Sequence, residues 1–272
     1  MIENFLSYNF VQCGLAAGSL VAASCAVLGV FLVLKRLSLI GDGMSHVCLT
    51  GVAVALLTST SPVYMSIPVV AVASLGIMKL TQKFRIYGDA AIGIVSAAGI
   101  SVGLLITALC GGFNTELLSY LFGSILTVTW TEVALCAGLL VLVVGGILFF
   151  YRDITATCFD EPFAHTRGVC TERVNTALVL ITSVAVVLSF KVVGIFLISA
   201  LLIIPPVSAL LVSHTFKQVL WRAVIFSVAS VWLGVFVSFL IDIPSGAAII
   251  LVNLLCLAGC YVWLKWRNAH GR

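Results

Sequence analysis

Asp42 and His46 are the residues whose types and spacing most clearly permit chemistry. They lie in Ser38-Leu39-Ile40-Gly41-Asp42-Gly43-Met44-Ser45-His46-Val47, inside an apolar stretch. On a helix, i and i+4 side chains share a face, so a carboxylate and an imidazole would stand one turn apart. Ionisable groups within a membrane span are costly and usually face a bundle interior or a pathway. A carboxylate with an imidazole also makes a plausible part of a first shell for Mn²⁺, Zn²⁺ or Fe²⁺. Two residues do not complete a coordination sphere, however. A structural hydrogen bond between them and a proton relay through His46 are the competing readings.

Other chemistry has less support. No GxxxxGK[ST] phosphate loop occurs in the chain, so any ATP-driven process needs a separate subunit to hydrolyse the nucleotide. Neither a GxSxG elbow nor an HExxH helix is present, which argues against an intramembrane hydrolase. Most of the nine cysteines sit singly in apolar runs, where Cys acts as a small hydrophobe. Cys256/Cys260 and Cys158/Cys170 lack the repeated CxxC spacing of a zinc site. Asp89 follows Tyr87-Gly88 at the start of an apolar stretch, a position where helix amides and the macrodipole favour a carboxylate.

The elements that must position Asp42 and His46 follow from composition. Of 272 residues, 62% are hydrophobic and 9% charged, against roughly 25% charged in an ordinary globular protein. So few charges could not cover a soluble surface, and disorder requires the opposite balance. The chain is expected to be an all-α polytopic membrane protein in one domain, 1–272. A net charge of +4, dispersed along the chain, gives no case for nucleic acid. Met1 to Phe10 carries Glu3 and no basic residue, a poor signal peptide, so the first span is expected to be retained.

Nine stretches approach the 20 or so apolar residues of a spanning helix: about 10–34, 39–58, 62–80, 90–110, 130–150, 174–190, 193–213, 221–241 and 244–264. Only Phe190, Lys191 and Val192 separate the sixth from the seventh, so eight spans remain the alternative. Lys35/Arg36, Lys79/Lys83/Arg85, Arg152/Arg167/Arg173, Lys217/Arg222 and Lys265/Arg267/Arg272 fall in alternate connections and hold 13 of the 14 basic residues. The opposite connections hold Lys191 with Glu116, Glu132 and Asp242. A wrong span count would scramble that alternation, which favours nine. The positive-inside rule then places the N-terminus outside and the C-terminus in the cytoplasm.

Gly14/Gly18 and Gly99/Gly103 form GxxxG pairs that would permit close helix approach, a weak signal in any apolar helix. Pro205-Pro206 lies well inside the seventh stretch and predicts a kink or break, because proline lacks a donor and clashes with the previous turn. Broken helices at membrane depth are tolerated where they line a cavity or are buried in protein. The outer connection contains the amphipathic stretch Glu116-Leu117-Leu118-Ser119-Tyr120-Leu121-Phe122-Gly123. The inner connection, 151–173, mixes both charge signs with Pro162 and Gly168 and offers the natural docking place for a cytoplasmic partner.

These residues resemble a known family. Lys35 to His46 is similar to the opening signature of the ABC-3 permeases of bacterial manganese, zinc and iron ABC importers. Further similar blocks follow in order: Gly88-Asp89-Ala90-Ala91-Ile92-Gly93-Ile94, Tyr120-Leu121-Phe122-Gly123-Ser124-Ile125-Leu126, Phe159-Asp160-Glu161-Pro162-Phe163-Ala164, and Val193-Gly194 through Pro205-Pro206. Each block is modest and five in order are specific. The resemblance implies a multi-pass homodimeric permease in the bacterial inner membrane, two cytoplasmic ATPase subunits and an extracytoplasmic metal-binding protein. It implies that Asp42 and His46 line the metal path, the ion being substrate and no cofactor being permanently bound. It also implies that Asp160, Glu161, Pro162, Phe163, Ala164 and Gly168 belong to a coupling segment that meets the ATPase, and that Pro205 and Pro206 mark a helix break along the path. Many members carry an acid where this chain has Ser124, which removes one outer-facing candidate contact.

The competing function from another class is a secondary carrier that exchanges protons for a metal or small solute through Asp42 and His46. Transport without an ATPase would separate it from the importer. An iron–siderophore permease would need a wider cavity than a bare ion requires.

Overall fold

The computed structural model describes residues 9–84, 86–109 and 128–270. Among them are eleven α-helices and no strand: α1 Asn9–Leu34, α2 Ile40–Thr58, α3 Pro62–Lys83, α4 Gly88–Leu109, α5 Trp130–Phe149, α6 Tyr151–Phe159, α7 Glu161–Thr166, α8 Thr171–Val193, α9 Ile195–Val212, α10 Phe216–Ile241 and α11 Ser245–His270. The stretch from Glu116 to Gly123, and Ser124 with it, lies outside the described residues.

Local chemistry sets the boundaries. Pro62 opens α3, where its missing N–H costs nothing. The Thr129 amide donates to the Glu132 carboxylate at 2.9 Å across the first turn of α5. Ser59 and Asp242 take left-handed conformations just past α2 and α10. Inside the helices, Ser24, Ser45, Thr107, Thr182 and Ser208 donate to the carbonyl four residues back, which satisfies their hydroxyls in an apolar surrounding.

The nine long helices correspond to the nine apolar stretches. Eight are long and apolar enough to cross a membrane; α9, with a described apolar run of Leu197–Val212, is shorter. The boundary between the sixth and seventh stretches is Gly194, at φ 86° between α8 and α9. The chain reverses there. Asn175, near the start of α8, meets Lys35, whereas the end of α9 is held by Arg222, which donates to the Val212 carbonyl. Both contacts lie at one end of the bundle, where Phe31, Tyr151 and Phe159 surround Phe216. Arg267 reaches His214 at that same end, at 3.0 Å. The beginning of α1 and the end of α11 therefore lie at opposite ends, as an odd number of traverses requires.

Helices α1 and α2 are the most buried and form the centre of the bundle, with α2 packed by α4, α3, α9 and α8. Outward, α4, α5 and α11 expose Leu105, Leu109, Leu135, Val141, Leu251 and Leu255. An apolar exterior of that kind suits hydrocarbon, because helices satisfy their own backbone groups.

Of the kink or break expected at Pro205-Pro206, no break occurs. Helix α9 continues through both prolines. Proline at 206 leaves the Leu202 carbonyl without its helical donor. That carbonyl packs against Gly29 of α1, so closely that a Cβ at Gly29 would lie 2.1 Å from the oxygen. The two prolines together free two carbonyls, those of Leu201 and Leu202; opening the helix would free further backbone groups with no water to take them up, at greater cost.

Candidate metal-path site

Helix α2 brings Asp42 and His46 together as their spacing predicts. His46 Nε2 stands 3.4 Å from the Asp42 carboxylate. Almost every neighbouring position on the helix is buried, yet the Asp42 side chain is 49% and the His46 side chain 26% accessible. The pair thus occupies an accessible stripe of a central helix. Asp42 lies in the first turn, where the exposed amides and macrodipole favour a carboxylate. At 1.5 Å per residue the two sit about 3 and 9 Å from the helix start, toward the end that gathers the basic residues.

Glycines set the backbone that carries this pair. A Cβ at Gly41 would come within 2.4 Å of Leu202 Cδ1 on α9, and one at Gly43 within 2.7 Å of Ile92 on α4. Further along, Gly99 and Gly103 of α4 seat Val47 and Thr50, and Thr50 donates its hydroxyl to the Gly99 carbonyl. The Gly99/Gly103 pair is therefore a packing surface for α2. Gly18 similarly faces Val231 of α10. Leu202 lies within the block from Val193 to Pro206, where nothing in its residue type marks a role; its backbone meets α1 while its side chain meets the residue before Asp42.

Among the described residues, no group of three or more His, Cys, Asp or Glu side chains is arranged to hold a metal ion. The described cysteines are all free. The Asp42–His46 pair offers a hard oxygen and a borderline nitrogen side by side. Pro205 and Pro206 lie on α9, which packs on α2 through Leu202. Asp89 lies in the first turn of α4 and is exposed, in keeping with a structural role at the helix start.

The segment expected to dock a cytoplasmic partner, 151–173, contains α6, α7 and the start of α8. Asp160 caps α7, its carboxylate accepting from the Phe163 amide at 2.9 Å, and Pro162 sits in the first turn. Phe163 is half exposed beneath the Arg167 guanidinium, 4.7 Å from its ring centre. Gly168 turns the chain out at φ 80°. Ala164 is fully buried, so the presented surface is that of Phe163 and its exposed neighbours. Glu161 accepts from Asn175 of α8 at 3.0 Å. At the same end Lys35 is buried enough that desolvation lowers its pKa, while burial pushes the Cys158 thiol up to about 11.

The profile described as the ABC 3 transport family matches residues 7–262. The chain belongs to the ABC-3 transport family. This ABC-3 chain is 33% identical over 250 residues to the manganese transport system membrane protein MntC of Halalkalibacterium halodurans, covering 92% of this chain and 86% of that one. It is 32% identical over 250 residues to a probable iron transport system membrane protein of Haemophilus influenzae, covering 91% of each. In fold it matches a solved chain of PsaBC from Streptococcus pneumoniae in complex with Fab, with a TM-score of 0.85, 26% identity, and 96% of this chain and 95% of that one covered.

Proposed function

We propose that this chain is the membrane-spanning permease subunit of an ATP-driven importer for a divalent transition-metal ion. The carrying observation is the Asp42–His46 pair, 3.4 Å apart on an accessible stripe of an otherwise buried helix. The relatives named for manganese and iron transport support the same cargo class. Carboxylate and imidazole together accept Mn²⁺, Zn²⁺ and Fe²⁺ alike. The carboxylate offsets the charge of the cation as it sheds water, and the imidazole replaces one lost ligand. Remaining ligands come from water, another helix or a second copy of the chain. An accessible ionisable stripe in an apolar bundle is best covered by such a copy, which supports a homodimer with the path between protomers.

In this reading the basic end faces the cytoplasm of a bacterial inner membrane, and α7 meets an ATPase subunit on each protomer. An extracytoplasmic binding protein delivers the ion at the opposite end. The ion is substrate, and ATP is hydrolysed by the partner. The deciding experiment reconstitutes permease, ATPase and binding protein in liposomes and follows metal entry. Uptake should require ATP hydrolysis. Metal accumulation by the permease alone, driven by a proton gradient, would replace the importer with a secondary carrier.

A further inference from the structure

We propose that Asn175 is a positioning residue that ties α7 to the α1–α2 turn, and through that turn to the helix carrying Asp42 and His46. The proposal rests on the reading of α7 as the ATPase docking element. Three side chains from distant parts of the chain form one line. Lys35, at the end of α1, donates its ammonium to Asn175 Oδ1 on α8, and Asn175 Nδ2 donates to Glu161 Oε1 at 3.0 Å at the start of α7. One amide thus faces both ways, its acceptor toward a cation and its donor toward an anion. Hydrogen bonds to charged groups are stronger than those between neutral ones.

What the line holds on the far side is a turn able to change shape. Arg36 has φ 58°, a left-handed conformation that costs a non-glycine residue energy. It is pinned by the Leu37 amide donating to the Leu32 carbonyl at 2.9 Å. Leu37 packs against Gly88, where α4 begins, and Ile40 starts α2 three residues later. A cavity of about 410 Å³ opens beside this turn, lined by Lys35, Leu37, Met78, Thr81, Glu161 and Asn175. Displacement of α7 has room to pull Lys35 through Asn175. Asp42 is only seven residues beyond Lys35, and its neighbour Gly41 is already in contact range of Leu202. A push at the docking surface thereby reaches the metal-path pair along two hydrogen bonds and one turn.

Substitution can break and remake the line without removing it. Asn175→Asp keeps the acceptor for Lys35 but sets a second carboxylate against Glu161. Glu161→Gln keeps an acceptor for Asn175. In the double variant the amide introduced at position 161 donates to the carboxylate introduced at position 175, which still accepts from Lys35. The test measures ions moved per ATP hydrolysed in liposomes carrying permease, ATPase and binding protein. Asn175→Asp should lower that ratio about fivefold, the equivalent of one lost hydrogen bond. The double variant should recover to within about twofold of Glu161→Gln measured alone. An unchanged ratio in Asn175→Asp, or no recovery in the double variant, overturns the proposal. The docking reading is tested separately by co-purification of the ATPase with Phe163→Asp, which should fail. Full association in that variant would remove the docking reading, and this proposal with it.

Discussion

Asp42 and His46 can be told apart from a structural pair by magnitude. An accessible i, i+4 ion pair contributes only about 0.3–0.5 kcal/mol to a helix. Breaking it should therefore leave folding nearly untouched. Losing a charged ligand to a dehydrating cation should cost about 1.5–3 kcal/mol, which is roughly tenfold or more in transport. Asp42→Asn keeps the size and removes the charge, and His46→Ala removes a ligand at a position where Ala favours helix. Both variants should insert, assemble and bind the ATPase normally while uptake per folded protein falls at least about tenfold. Parent-level uptake in both would end the metal-path assignment and leave family membership untouched. A matching loss of membrane abundance and transport would point to the structural reading.

At the scale of elements, α9 governs α2 through contacts that differ in how easily they yield. Gly29→Ala would drive a Cβ to 2.1 Å from the Leu202 carbonyl, part of a backbone that cannot turn aside. Forced separation of α1 and α9 should cost about 1–3 kcal/mol, visible as a lower unfolding temperature in detergent. Gly41→Ala meets the far end of the Leu202 side chain instead, at 2.4 Å. It should cost less, and Leu202→Ala with it should be less damaging than the sum of the two changes. Equal losses for Gly29→Ala and Gly41→Ala would contradict this. The apolar runs and the Asp42–His46 face were legible because each needs only local spacing. The outcome at Pro205-Pro206 was not, because the local proline rule omits Gly29, far away in the chain, which accommodates the freed Leu202 carbonyl. Lys35 and Asn175 are 140 residues apart, and nothing local marks either as the other's partner. Ala164 read as part of a docking motif, whereas tertiary packing turns its side chain inward and leaves Phe163 outside.

Across the whole molecule, the charge alternation and the fold express one constraint. Lys35, Arg222 and Arg267 are drawn from distant connections, yet each contacts a neighbour at the same end of the bundle. Two traverses separate successive basic connections, and the reversal at Gly194 between α8 and α9 keeps that spacing. Among the described residues, the arrangement gathers charged side chains at the end built from α6, α7 and the helix ends around them. Nothing in that end resembles a nucleotide site: the chain has no phosphate loop, and a six-residue helix offers Phe163 outward. In the proposed importer, energy for moving the ion enters by contact with another subunit. Purified permease should show no ATP turnover in detergent or liposomes, whichever metal is supplied. Adding the cognate ATPase should give hydrolysis that depends on intact α7, and Phe163→Asp should abolish that hydrolysis by preventing association. ATP turnover by the isolated chain would overturn this division of labour.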